Sequence, residues 1–147
     1  MTSNEVKDVA TIVGVIIGAG SLAVSAFNSW LNAKTNRAKF WLELRSAFSK
    51  HDEIHRKLHP RGDWFGGTRE PTAEEQYQVE AYMGLFEHCE VMLEQKLIDE
   101  QTFREIYAYR LRNIVSNEWI LTQKLKAFPR EWRRFIALLK RMNVPLG

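Results

Sequence analysis

The hydrophobic and polar positions divide the chain into one long charge-free run and a series of amphipathic segments. From Val9 to Ala33 no residue is ionisable. As a helix this run is on the order of 37 Å long, enough to cross the hydrocarbon core of a bilayer with some tilt. It also has a polar side. Thr11, Gly14, Gly18, Ser21, Ser25, Asn28 and Asn32 recur at alternating spacings of three and four, and each is small or polar. Two explanations fit such a stripe. Small residues let neighbouring helices approach closely in lipid, and Gly14–Gly18 is a GxxxG packing motif. Alternatively, a ring of such helices lines water, with Asn28, Ser29 and Asn32 at its mouth.

Beyond the run, hydrophobic residues recur every three or four positions. Phe40, Leu44 and Phe48 predict a helix that continues out of the charge-free run and ends at Pro60. "PRGDWFGGTREP" then has loop chemistry. Thr72 and Glu75 form a capping box ahead of a helix whose inner face is Val79, Tyr82, Phe86, Cys89, Leu93 and Leu97. Asp99 is the expected N-cap of the next helix, with Phe103, Ile106, Leu111 and Ile114 inside. Pro129 suits the first turn of a last helix that packs through Trp132, Phe135, Ile136, Leu139 and Met142. The expected architecture is all-α: a tail over 1–8, a transmembrane helix over 9–33 and a cytosolic helical bundle over 34–147.

Charge refines this picture. Lys+Arg number 21 and Asp+Glu 18, so the net charge of +3 identifies no partner. The flanks of the run are more telling. Lys34, Arg37 and Lys39 follow it, whereas Lys7 alone precedes it, offset by Glu5 and Asp8. The positive-inside rule then places the carboxy-terminal domain in the cytoplasm. The balanced leader and the length of the run argue for an uncleaved anchor rather than a signal peptide. The one cysteine, Cys89, excludes an intramolecular disulfide and fits a reducing compartment.

Acids dominate from Glu70 to Glu100 and bases after Leu121. These are solvated faces or complementary faces within or between subunits. A lipid-facing or anion-binding role for Arg130, Arg133, Arg134, Lys140 and Arg141 is the other reading, with Trp132, Phe135 and Leu139 as an insertable face. No RNA-binding module or stacking platform is visible, so direct nucleic-acid binding is not expected.

Two constellations invite chemistry. His51, His55 and His59 recur every four residues, a spacing compatible with metal ligation, although His51 and His55 also continue the inner face begun by Phe40, Leu44 and Phe48. Arg45 and His51 match the loose arginine–histidine signature of HEPN-type ribonucleases, in which histidine moves a proton and arginine stabilises phosphate charge. On a straight helix, though, the two side chains lie about 120° apart. Neither a resident metal nor a cofactor is expected.

The order of segments adds a resemblance. A short membrane helix precedes "FWLELRSAF", a Gly/Pro-containing break, "VEAYMGLFEHCEVMLEQKLIDEQTFREIYAYRLRNIVSN" and a terminal Trp/Arg-rich helix. This resembles small bacterial single-pass proteins of the DUF4760-like type and, more loosely, the membrane ancillary protein of type VI-B CRISPR systems. The second resemblance implies a homo-oligomeric inner-membrane pore that supports RNA-guided antiviral defence beside a cytosolic effector. The expected function is therefore a self-associating single-pass protein that alters membrane permeability. A membrane-tethered HEPN-like ribonuclease and a passive scaffold recruiting a cytosolic partner are the alternatives.

Overall fold

The computed structural model describes the backbone of residues 3–146, and the side chains of Ser25 and of residues 27–146. Every regular element among the described residues is helical. The chain divides into two compact units, Met1–Glu43 and Leu44–Gly147.

The first unit is built on helix α1, which runs Ser3–Ser49 and so also contributes its last residues to the second. Most of the charge-free run, with Thr11, Gly14, Gly18 and Ser21 of its stripe, lies outside the described side chains. Ser25, Asn28 and Asn32 are exposed. Phe27 and Trp30 stack at 6.1 Å between ring centroids, and the Lys34 ammonium lies 5.2 Å from the Trp30 ring. Among the described residues no helix is long and apolar enough to cross a membrane.

The second unit is a helical bundle comprising the end of α1, α2 (Asp52–Leu58), α3 (Ala73–Glu94), α4 (Glu100–Val115), α5 (Glu118–Ile120) and α6 (Arg133–Arg141). Between α5 and α6 the segment Leu121–Lys126 is a π-helix. The Thr122 hydroxyl donates to the Glu118 carbonyl at 2.8 Å, the kind of side-chain insertion that loosens an α-helical ladder. Core packing centres on Phe48. Its ring lies 4.3 Å from Tyr107, 4.9 Å from Phe86 and 6.3 Å from Tyr82, so α1, α3 and α4 meet there. Phe135 of α6 closes the core against Phe86 at 6.1 Å.

Several boundaries follow local chemistry read from the sequence. The Thr72 hydroxyl accepts from the Glu75 N–H at 3.3 Å, and the Glu75 carboxylate accepts from the Thr72 N–H at 2.9 Å. Asp99 caps α4 by accepting from the Thr102 N–H at 2.7 Å. Pro60 follows the extended His59 that stops α2.

Other boundaries correct the reading. The helix expected to run unbroken to Pro60 is interrupted at Lys50–His51, where the His51 N–H folds back to the Phe48 carbonyl at 3.0 Å. Asp52 and Glu53 then open α2, where acids favour a helix start. Leu97 is 58% exposed rather than inside. α3 stops at Glu94 in a Schellman turn: the Leu97 N–H reaches the Met92 carbonyl and the Lys96 N–H the Leu93 carbonyl, with Lys96 at φ 56°. That turn ends the helical phase, and Ile98 enters the core instead. On α4, Tyr107 takes the inner position between Phe103 and Leu111, leaving Ile106 exposed on the flank. Pro129 sits in a turn, not in α6. The Phe128 carbonyl accepts from both Glu131 and Trp132 N–H groups, and the helix starts at Arg133.

The charge segregation is resolved inside the chain. α3 packs along α6, and the pairing is between these acids and those bases. Arg141 grips Glu90 with two nitrogens, Nε at 3.0 Å and Nη2 at 2.8 Å, and reaches Glu100 at 3.2 Å. Arg134 pairs with Glu94 at 2.8 Å, and Lys124 of the π-helix pairs with Glu80. Glu87 accepts the Phe135 N–H at 3.2 Å, satisfying a donor in the first turn of α6.

Candidate functional site

The densest group of ionisable and aromatic side chains lies where α2 meets α3 and α4. His55 on α2 is half-buried. Its Nδ1 lies 3.5 Å from the Tyr82 hydroxyl on α3, and its Nε2 lies 3.4 Å from the Tyr109 hydroxyl on α4. Arg110 donates through Nε to the Tyr109 oxygen at 3.2 Å. Because arginine only donates, the Tyr109 proton is free to point to His55 Nε2, and the imidazole Nδ1–H then donates to Tyr82. The Arg110 guanidinium also lies over the rings of Phe48 and Tyr107, at 5.4 and 5.9 Å. Its Nη1 is buried with no acceptor at hydrogen-bonding geometry among the described residues; Asn113 Nδ2, one turn on, is in the same position.

These surroundings control protonation. Burial, then the Arg110 charge, then His59 push the His55 imidazole down to about 4, against a small opposing pull from Asp52. Burial pushes the Tyr82 hydroxyl up to about 12. His51 is also lowered, by burial and then by Lys50, and its ring leans on Tyr82 at 5.5 Å. At neutral pH His55 is therefore a neutral imidazole and Tyr82 an intact phenol beside the Arg110 cation. Each ring nitrogen of His55 faces a phenol oxygen, one on α3 and one on α4. Its geometry is that of a tether joining three helices.

The sequence-derived candidates fall around this group unevenly. Arg45 is exposed on α1, and the helix interruption at Lys50–His51 lies between it and His51. No hydrogen bond or ring contact joins the two among the described residues. His55 and His59 lie 6.3 Å apart edge to face, and no set of three metal-ligating side chains converges among the described residues. Of the five basic candidates, Arg134 and Arg141 are held by α3 carboxylates. Arg130, Arg133 and Lys140 have no carboxylate partner among the described residues. Cys89 is fully buried, and burial pushes its thiol up to about 12, well away from a reactive thiolate.

A second clamp went unread in the sequence. Trp64, 4% exposed, is flanked by the Lys57 ammonium at 5.1 Å and the Arg69 guanidinium at 5.2 Å. Both cations bind Glu75, at 3.3 and 3.1 Å. The Arg69 hydrogen bond, followed by the Thr72 N–H, holds the Glu75 carboxyl down to about 2. The Asn117 side chain donates to the Trp64 carbonyl at 2.8 Å and accepts from the Ile120 N–H at 2.9 Å, fastening the loop to α5. The visible signal was a loop tryptophan with Lys57 seven residues before it and Arg69 five residues after it.

No family model, curated protein or solved structure matches this chain.

Proposed function

We propose that this is a single-pass membrane protein that self-associates along the small-residue face of its amino-terminal helix and thereby alters membrane permeability. The observation that supports it is continuity. One uninterrupted helix, Ser3–Ser49, contains the whole charge-free run and reaches Leu44 and Phe48, which are core residues of the bundle. A helix with no charge over that length is matched to a bilayer. A stripe running from Thr11 to Asn32 is matched to copies of itself. One helix conducts nothing alone, so permeability requires the assembly. The bundle faces the cytoplasm, and the resemblance to the type VI-B ancillary protein makes antiviral defence the setting in which such leakage is useful.

The test is dye release from vesicles carrying the full chain, beside Gly14→Leu/Gly18→Leu. Release by the native chain that falls to background in the variant, together with loss of the oligomer in detergent, is the expected result. A confirmed oligomer that releases no dye refutes the permeability claim. Extraction of the chain from vesicles by alkaline carbonate refutes the anchor.

A further inference from the structure

Carboxylates of α3 already pair with Lys124 of the π-helix and with Arg134 and Arg141 of α6. What this pairing leaves is localised. Lys126, Arg130 and Arg133 have no carboxylate partner among the described residues, and all three are exposed. Lys126 ends the π-helix, Arg130 lies in the turn that follows, and Arg133 opens α6. Phe128 sits among them, 49% exposed, next to Pro129. Trp132 follows, half-buried, with its ring 6.5 Å from Phe135 of the core. Beside the turn is an open groove of about 400 Å³ lined by Arg130, Glu131, Arg133, Arg134 and Glu87. Glu87 is occupied by the Phe135 N–H, and Arg134 by Glu94. Arg130 and Arg133 are thus the groove's cations without a carboxylate partner among the described residues, beside an exposed aromatic, and Glu131 between them in sequence is its one exposed carboxylate.

We propose that the segment Lys126–Arg133 is a docking surface for anionic phospholipid, with Arg130 and Arg133 taking headgroup phosphate and Phe128 entering the interface. The pattern is that of a peripheral lipid contact. Cations reach phosphate oxygens with paired N–H donors, while an aromatic ring sits at the boundary between headgroup and chain. Three cations form a modest patch, and on a freely diffusing protein they bind weakly. This proposal rests on the membrane reading above, because an anchor on the same chain makes the second contact intramolecular and lets a weak patch be occupied. Each basic side chain near an anionic surface is worth about fivefold in binding.

The test uses the full chain in vesicles of neutral phosphatidylcholine, with and without phosphatidylglycerol. The readout is amide hydrogen exchange over Lys126–Arg133. Slower exchange in the anionic vesicles, reversed by high salt and lost in Arg130→Glu/Arg133→Glu, is expected. Both residues are exposed, so the variant's thermal melt should match the native one, and Phe128→Ser gives a second, charge-neutral variant with the same expected loss. Equal exchange in both vesicles, from protein that resists carbonate extraction, overturns the docking surface and leaves the anchor intact. Protein that carbonate extracts refutes the anchor. In that case co-sedimentation decides: binding to anionic but not neutral vesicles supports the surface, and binding to neither overturns it. Protection of the same segment by inorganic phosphate alone, with none from vesicles, also overturns it.

Discussion

Replacing Arg141 with methionine removes one cation and should unfold the bundle far more readily than an exposed ion pair would. Glu90, its partner, is 2% exposed on α3 and accepts two of the guanidinium's nitrogens, at 3.0 and 2.8 Å. With Arg141 gone the carboxylate stays in a low-dielectric site with no countercharge, and breaking such a pair costs about 3–5 kcal/mol. Arg141 is itself about a third exposed and also serves Glu100, which is largely solvated, so the lower end of that range applies. About 3 kcal/mol in a bundle of roughly a hundred residues lowers the melting temperature by about 12–24 °C. Thermal and urea melts followed by circular dichroism read this directly, for Arg141→Met, Glu90→Leu and the double variant. Replacing both partners with apolar side chains removes the buried charge altogether, so the double variant should recover most of the loss. The coupling between the two sites should exceed about 1.5 kcal/mol. An Arg141→Met protein within about 1 kcal/mol of the native one, or additive single effects, refutes the claim that this pair is a buried, mutually dependent unit.

Three further outcomes follow from local geometry. A Cβ on Gly62 would overlap the carbonyl oxygens of Arg56 and Lys57, so Gly62→Ala should displace the loop that carries Trp64 and lose about 1–3 kcal/mol in a urea melt. Lys96 holds a left-handed φ of 56° in the turn after α3, and Lys96→Gly should raise the melting temperature by the equivalent of about 0.5–1 kcal/mol; a fall would contradict the strain argument. His55 should titrate near 4 by NMR, because burial and then Arg110 disfavour its cation. Its folded value lies below the unfolded value of 6.5, so its stabilising contribution is complete above that pH and is lost as pH falls from 6.5 towards 4. His55→Phe should flatten that part of the stability–pH curve, and a native His55 titrating near 6.5 would contradict the tether.

The helical class and most of the core were legible because they depend on nearest-neighbour chemistry. Thr72 with Glu75, and Asp99 before Thr102, are local caps, and periodicity alone placed Phe86, Phe103 and Phe135 in the core. The errors came where a turn broke the phase. Leu97 fits the apolar spacing of α3, but Lys96 adopts a conformation that no periodicity encodes, and the helix is over before Leu97 is reached. The same is true at His51, where a tight turn replaces the continuous helix, and at Pro129, whose fixed φ suits a turn as well as a helix start. The acid–base complementarity could have been seen. Glu80, Glu87, Glu90 and Glu94 are spaced by seven, three and four, which is one face of a helix, but the identity of the opposing helix is a long-range fact.

That complementarity changes where function can reside. Read along the chain, the carboxy-terminal bases look like one cationic tail, and an amphipathic helix over Arg133–Arg141 would lie flat on a membrane. In the bundle, Phe135, Leu138 and Leu139 are fully buried against the core, and Arg134 and Arg141 are turned to α3, so α6 has neither its apolar face nor those two cations to offer. His55 and Arg110 are engaged within the bundle too, His55 facing a phenol oxygen from each ring nitrogen and Arg110 stacked on Phe48. The groups best suited to chemistry thus join helices to one another. Cations without a carboxylate partner among the described residues persist beside exposed Phe128, in and next to the turn where the chain leaves the helical frame. A lipid contact made there moves with the turn and leaves the bundle core undisturbed, so substitutions at Arg130 and Arg133 should change membrane contact without changing stability, whereas substitutions at Arg141 should do the reverse.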